Sequence, residues 1–292
     1  MEDSKMALLD TESQLYFFVG SFGEGLDHPE CIACGLDNMA YAGGEAGQIY
    51  RIDMATQIFE EIGNTGGFVG GLAQDGDRNI YACSNGAVWR ITPGGVVSVY
   101  SSGAGNNPIA TPNYPVFDTE GNLFVSDSGG WKHDSGRLFR IKPGGEAEVW
   151  EKTLCQFPNG LALSPDGSHL YVAMSLNSPC VSRVAIKSNG TAGRVEKVVD
   201  LPETVPDGLA FDIEGNLYIS CYRPDRIYRY STEDKLEVLA DDFEGTYMAA
   251  PTNIAFCGEN RDVFLSANLG RWHITQYELD AVGAPLNYPK IT

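Results

Sequence analysis

The chain has 292 residues, 43% hydrophobic and 20% charged, which is the composition of a folded protein and not of a disordered one. Lys and Arg total 20 against 39 Asp and Glu, and the resulting net charge of −19 repels polyphosphate and anionic membranes, so neither nucleic acid nor membrane is expected as a partner. No apolar run approaches the ~20 residues of a membrane helix, and the acidic residues 1–10 carry no basic leader region, so a cytoplasmic location is expected.

In chain order, residues 1–12 read as a flexible N-terminal segment of a single domain covering 1–292, and residues 14–20 as an apolar strand. The seven cysteines, Cys31, Cys34, Cys83, Cys155, Cys180, Cys221 and Cys257, are odd in number and lack a secretory signal, so all are expected as free thiols. Cys31 and Cys34 form a CxxC without a second pair at zinc spacing.

From residue 29 onward a period appears. Pro29-Glu30-Cys-Ile-Ala-Cys-Gly-Leu-Asp aligns with Pro158-Asn159-Gly-Leu-Ala-Leu-Ser-Pro-Asp-Gly and with Pro206-Asp207-Gly-Leu-Ala-Phe-Asp. Weaker copies begin at Gly70, Asn113 and Asn253, so the heads at 30, 70, 113, 159, 207 and 253 are 40, 43, 46, 48 and 46 residues apart. Each unit carries alternating apolar runs separated by Asp-, Gly- or Pro-Gly-Gly-containing turns, enough for four antiparallel strands. Such a unit is one propeller blade, and six of them predict an all-β, six-bladed β-propeller. After the sixth head the chain supplies three strands, near 253–257, 262–267 and 273–279. Residues 14–20 are therefore expected as the missing outer strand of the last blade, closing the ring and leaving no radial edge.

This topology gathers the six heads at one end of the central channel: Glu30, Gly70, Asn113, Asn159, Asp207 and Asn253. Five of the six bear side-chain oxygen, which is unfavourable beside a buried axis without partners. A hard divalent cation is an economical partner, and carboxylates mixed with amide oxygens suit Ca²⁺. The competing reading is that Asn and Asp merely cap turns between blades.

The same residues resemble the senescence-marker-protein, gluconolactonase and luciferin-regenerating-enzyme family of six-bladed lactonases and phosphotriesterases, over essentially the whole chain. The resemblance implies one catalytic divalent metal on Glu30, Asn113, Asn159 and Asp207, with Ca²⁺ foremost and Zn²⁺, Mn²⁺ or Mg²⁺ as alternatives. It also implies Asp207 as general base or nucleophile in a hydrolase that opens a lactone or related ester. Where sugar-lactonase members carry Arg and Asp around the blade-three Asn, this chain has Thr111 and Tyr114.

Loops over the head face are expected to set specificity for a small-molecule substrate, through Tyr114, Trp131, Tyr222, Arg223, Trp272 and His273. His133 is placed as a second catalytic group, and Asn253 and His28 as further members of the site. Two other readings stay open: a ligand-binding propeller with a structural cation, and a metal-free enzyme of the strictosidine-synthase kind.

Overall fold

The computed structural model describes residues 7–20 and 25–291. Six four-stranded antiparallel sheets form the ring, and a two-residue-per-strand hairpin at Gly103–Ala104 and Asn107–Pro108 stands outside them. Blade one comprises Cys31–Cys34, Met39–Gly43, Gln48–Asp53 and Phe59–Asn64; blade two comprises Val69–Gln74, Ile80–Ser84, Ala87–Ile91 and Val97–Ser101. Blade three holds Pro112–Phe117, Leu123–Asp127, Arg137–Ile141 and Ala147–Glu151, and blade four Pro158–Leu163, His169–Met174, Cys180–Ile186 and Ala192–Asp200. Blade five holds Val205–Phe211, Leu217–Arg223, Arg226–Tyr230 and Leu236–Asp241.

Blade six combines Pro251–Cys257, Val263–Asn268 and Ile274–Tyr277 with the N-terminal strand Leu15–Val19. Leu15 pairs with Tyr277, Tyr16 with Gln276 and Phe17 with Thr275, so the ring closes as its sequence requires. The expected flexible segment is more ordered than its composition suggests. Residues 1–6 lie outside the described residues, but Leu8 N and Leu9 N donate to the carbonyls of Val238 and Leu239 at 2.9 and 2.8 Å, and Leu9 is buried. Asp10 then caps a single helical turn, Thr11–Gln14, by accepting from the Glu12 and Ser13 amides.

The core is distributed, with one apolar layer between each pair of neighbouring blades. Cys31, Tyr41, Val69 and Leu72 join blades one and two, for example, and Phe18, Ile32, Ala255 and Leu265 join blades six and one. The recurrent Asp-x-x-Gly-Asn-x-Tyr is a turn that finishes this layering. Asp212 accepts from the amides of Glu214 and Asn216, from Asn216 Nδ2 at 2.8 Å and from Tyr218 Oη at 3.1 Å. Asp75 does the same for Asp77, Asn79 and Tyr81, with Arg78 at positive φ where the motif has Gly. These motif carboxylates serve the fold at the end of the ring away from the heads.

One expectation is overturned. Cys34 and Cys257 form a disulfide with Cα atoms 5.3 Å apart, leaving Cys31, Cys83, Cys155, Cys180 and Cys221 free. Both partners end the innermost strands of their blades, and closure of the ring makes the first and last blades neighbours. Spacing along the chain hides the pair, because 223 residues separate them.

Candidate metal centre and active site

The heads owe their orientation to an irregularity that recurs. Pairing between the inner and second strands shifts register between Pro112 and Pro115, Pro158 and Leu161, Pro206 and Leu209, and Pro251 and Ile254. Asn113, Asn159, Asp207 and Asn253 fall inside these bulges, where an unpaired residue is re-aimed out of the pleat. The glycine after a head has its own reason. A Cβ on Gly160 would lie 2.2 Å from the Asp207 carbonyl oxygen, and one on Gly208 would lie 2.7 Å from Asn253 Cα, so each glycine admits the backbone of the next blade's head. Gly70 itself fits against Asn113 in the same way, with a Cβ position 2.8 Å from the Asn113 carbonyl.

Serines in the second strands tie the heads from blade to blade. Ser126 Oγ donates to the Asn159 carbonyl at 2.6 Å and Ser175 Oγ to the Pro206 carbonyl at 2.6 Å, while Ser220 Oγ donates to the Thr252 carbonyl. Thr252 Oγ1 passes the pattern to blade one by donating to the Glu30 carbonyl at 2.6 Å. These residues were missed in the sequence, although the signal was present as a Ser near the end of each second strand from blade two to blade six: Ser84, Ser126, Ser175, Ser220 and Ser266.

Glu30, Asn113, Asn159, Asp207 and Asn253 are all buried, none more than 7% exposed. Asp207 stands between two amides, with Asn159 Nδ2 3.2 Å from its Oδ2 and Asn253 Nδ2 3.4 Å from its Oδ1. Asn159 Nδ2 also donates to Ser175 Oγ at 3.2 Å. The oxygens of this group are left over: Glu30 Oε2, Asn113 Oδ1, Asn159 Oδ1 and Asn253 Oδ1 are buried without any hydrogen-bond partner. Four orphaned acceptors beside a carboxylate constitute a donor set for a hard cation, and the residues present fit such an ion. Burial raises the pKa of Asp207 to about 7. Glu30 is pushed well above the usual carboxylate range, first by burial and then by the charge of Asp207.

The remaining candidates are placed differently from one another. Tyr114 turns down the channel, where it lines a cavity beneath the heads. Trp131 is 53% exposed on the blade-three loop and meets Phe157 edge-on at 4.9 Å between centroids. Trp272 lies on the blade-six loop with its ring 5.6 Å from that of His28. Tyr222 is half-buried beneath the Arg223 guanidinium, 5.0 Å from its ring centroid, and Arg223 pairs with Asp225 at 2.5 Å.

His133 sits on an exposed turn closed by its own amide to the Gly130 carbonyl. His273 is a packed residue and not a rim group: it is 5% exposed, its Nε2 lies 2.8 Å from the Tyr247 carbonyl, and Phe17 meets it edge-on. His28 is engaged by Asp27 at 3.2 Å and Glu45 at 3.4 Å, a rim cluster whose ligand atoms all lie within 4.8 Å of one another.

A six-bladed ring with buried, partly unpartnered polar side chains at its inner-strand heads defines the protein as an all-β six-bladed propeller with a polar axial cluster. Within that class the match is specific, since the sequence model of the SMP-30/gluconolactonase/LRE-like family covers residues 40–267, and the chain belongs to that family. A gluconolactonase of Zymomonas mobilis is 31% identical over 140 residues, 45% of this chain and 38% of the relative. An uncharacterised protein of Sulfolobus acidocaldarius is 33% identical over 111 residues, 36% of this chain and 38% of the relative. The chain thus aligns with under two fifths of the length of the curated relatives it matches.

Among solved structures, a gluconolactonase of Xanthomonas campestris superposes with a TM-score of 0.77 at 16% identity, covering 94% of this chain and 95% of the other. The calcium-binding protein regucalcin of Agrobacterium tumefaciens gives 0.75 at 16% identity over 92% and 95%. A luciferin-regenerating enzyme gives 0.73 at 17% identity over 90% and 96%. At these identities the superpositions establish the fold.

Proposed function

We propose that this protein is a metal-dependent hydrolase that opens a lactone or related ester, with Glu30, Asn113, Asn159 and Asp207 holding one divalent cation, foremost Ca²⁺. The observation that carries this reading is the set of four buried, partnerless side-chain oxygens on Glu30, Asn113, Asn159 and Asn253, with Asn159 and Asn253 also bonded to the buried Asp207. A hard cation bound there supplies Lewis-acid polarisation of the substrate carbonyl and neutralises the charge that develops on it. Asn253 belongs with this group through its hydrogen bond to Asp207.

Asp207 is the residue that meets the substrate as base or nucleophile. Its two amide neighbours fix the carboxylate plane, and its burial keeps water from diluting its charge. As a base it takes a proton from the water that attacks the acyl carbon and returns it to the alkoxide oxygen released when the acyl C–O bond breaks. As a nucleophile it attacks that carbon itself, and the acyl C–O bond breaks with the alkoxide taking a proton from water. A second water then cleaves the acyl-aspartate to regenerate the carboxylate. Trp131, Tyr222 and Trp272 supply apolar surface at the head face for the non-reacting part of the substrate. Relatives named gluconolactonase support the lactone chemistry, and the charge of −19 supports a small molecule over a polyanion as partner. Among the described residues no helix is long and apolar enough to cross a membrane. The Cys34–Cys257 bridge bears against the expected cytoplasmic location, because disulfides persist mainly in oxidising compartments.

The test is turnover of a panel of lactones and esters with EDTA and after Ca²⁺ is restored. Loss with the chelator and recovery with the cation, with circular dichroism unchanged, is the expected result. Turnover indifferent to chelation identifies a metal-free enzyme, and no turnover of any panel member identifies a ligand-binding propeller.

A further inference from the structure

The channel does not end at the heads. Below them it opens into a cavity of about 330 Å³, of a size that holds a small organic ligand. None of the head residues lines it. Its wall is a ring contributed once by each blade: Ala33, Ala73, Val116, Ala162, Ala210 and Ala255. Small side chains at this register keep the axis open, while the neighbouring positions Leu72, Leu161, Leu209 and Ile254 are buried. Polar groups interrupt the apolar wall: Thr119, Ser164, Asp166 and Asn287 are among them, and two more bear on what the cavity could hold. Tyr114 lines the cavity. Gln74, 3% exposed and also on the wall, spends Oε1 on the Leu36 amide at 2.8 Å and leaves Nε2 without a partner.

The far mouth is covered by the chain's own last segment. Ala284 N donates to the Phe211 carbonyl of blade five at 2.9 Å, and Gly283 N to the Arg261 carbonyl of blade six at 2.8 Å. Tyr288 Oη donates to the Cys34 carbonyl of blade one at 2.9 Å, and Asn287 Nδ2 to the Phe117 carbonyl of blade three at 2.9 Å. The Gly76 amide of blade two donates to the Pro289 carbonyl at 2.7 Å. Residues 284–288 form part of the cavity lining. The segment is thus pinned to five of the six blades, with one hydrogen bond each to blades one, two and three. Further bonds to blades five and six run from Ile213 N to the Val282 carbonyl and from Arg261 Nε to the Gly283 carbonyl, so residues 285–290 can open while 282–284 stay anchored.

We propose that this chamber is a second ligand site, separate from the head cluster, which takes a small, mostly apolar, ring-sized molecule bearing one carbonyl or ether oxygen and admits it when the C-terminal strap lifts. The alanine ring supplies the apolar wall. Tyr114 and Gln74 both line the cavity, and Gln74 Nε2 is a buried donor that otherwise stays unsatisfied and is available to the ligand oxygen. The volume excludes a peptide or any larger partner.

The probe is 6-propionyl-2-(dimethylamino)naphthalene, a fluorescent ketone whose emission moves to the blue in apolar surroundings, titrated into the full chain at saturating Ca²⁺. A saturable blue shift at one probe per chain is expected. Ala162→Leu with Ala210→Leu fills the ring and is expected to weaken binding at least tenfold, Tyr114→Phe about fivefold, and Asp207→Asn less than twofold. Should the double variant fail to fold, Ala210→Val alone makes the same comparison with a smaller loss. Tyr288→Phe removes one pin of the strap and is expected to speed probe entry severalfold in stopped flow. The absence of saturable binding overturns the site, as does binding lost in Asp207→Asn but indifferent to the ring substitutions. An entry rate unchanged by Tyr288→Phe overturns the strap as gate.

Discussion

Asn159 Nδ2 donates to Asp207 Oδ2 at 3.2 Å, and that bond turns the amide so that Asn159 Oδ1 faces a space with no protein donor. One residue thereby fixes the aspartate and offers an acceptor of its own. The same division of labour holds for Asn253, 3.4 Å from the other carboxylate oxygen.

Ligand count governs the affinity of such a site. Glu30 is one of two carboxylates in the cluster, and Glu30→Gln halves the formal negative charge facing the cation. Calorimetric titration with Ca²⁺ is expected to show affinity reduced at least tenfold, and Asn113→Ala to show a smaller loss. Affinity unchanged in both variants removes them from the coordination shell.

Asp207→Asn keeps the size and the two amide neighbours of the side chain while removing its basicity and nucleophilicity. Folding is expected to persist and hydrolysis to fall on the order of 10²-fold or more. Single-turnover hydrolysis in ¹⁸O-water separates the two routes, because label appears in Asp207 only if the carboxylate attacks. Turnover within a few fold of the unsubstituted protein refutes the role.

The two buried carboxylates also set a pH signature for the chelated protein. Their folded-state pKa values are raised, that of Asp207 to about 7, so between roughly pH 4 and 7 the folded chain holds more protons than the unfolded one. Their contribution to stability is therefore present at the low end of that window and is lost as pH rises, by up to about 1.4 kcal/mol per pH unit for each group. Asp166, lowered to about 2 chiefly by the Ser164 hydroxyl, acts in the opposite sense and only below pH 4. Melting temperature in EDTA is expected to fall between pH 5 and 7.5, and millimolar Ca²⁺ to flatten the fall. A chelated protein that gains stability over this interval contradicts the burial of both carboxylates.

Cys34–Cys257 bridges the first and last blades. Cys257→Ala, or reduction of the native chain, is expected to lower stability by about 2–4 kcal/mol, seen as an earlier denaturant midpoint. A midpoint that does not respond to reductant shows that strand pairing alone holds the seam.

Gly208→Ala places a methyl 2.7 Å from Asn253 Cα and from the Thr252 carbonyl oxygen. A loss of about 1–3 kcal/mol is expected from the forced shift, together with weaker Ca²⁺ binding, because the backbone that must yield carries a head. Gly94→Ala is the control, since its methyl meets nothing nearer than 3.8 Å.

The repeat made most of this architecture readable. Each blade re-used the same order of turn and strand, so Pro206-Asp207-Gly-Leu-Ala-Phe could be laid on Pro158-Asn159-Gly-Leu-Ala-Leu, and the ring and its polar heads followed from topology. Features without a period were hidden. The bulges that aim the heads are a matter of hydrogen-bond register, which no residue announces. Cys34 and Cys257 met only because closure made distant blades adjacent, and residues 284–288 carry no hydrophobic pattern to betray that they cross the far mouth. His273 was read as a loop residue facing substrate, and it is packed because Phe17, from the other end of the chain, comes to lie against it.

That pairing of Leu15–Val19 with Ile274–Tyr277 carries a consequence for biosynthesis. Leu15–Val19 is synthesised before the other five blades and its partner strand only after them, so five blades emerge while the sixth waits for strands made on either side of them. Throughout that interval Phe18 and Val19 remain uncovered, and a second nascent chain offering its own blade-six strands is the natural competitor for them.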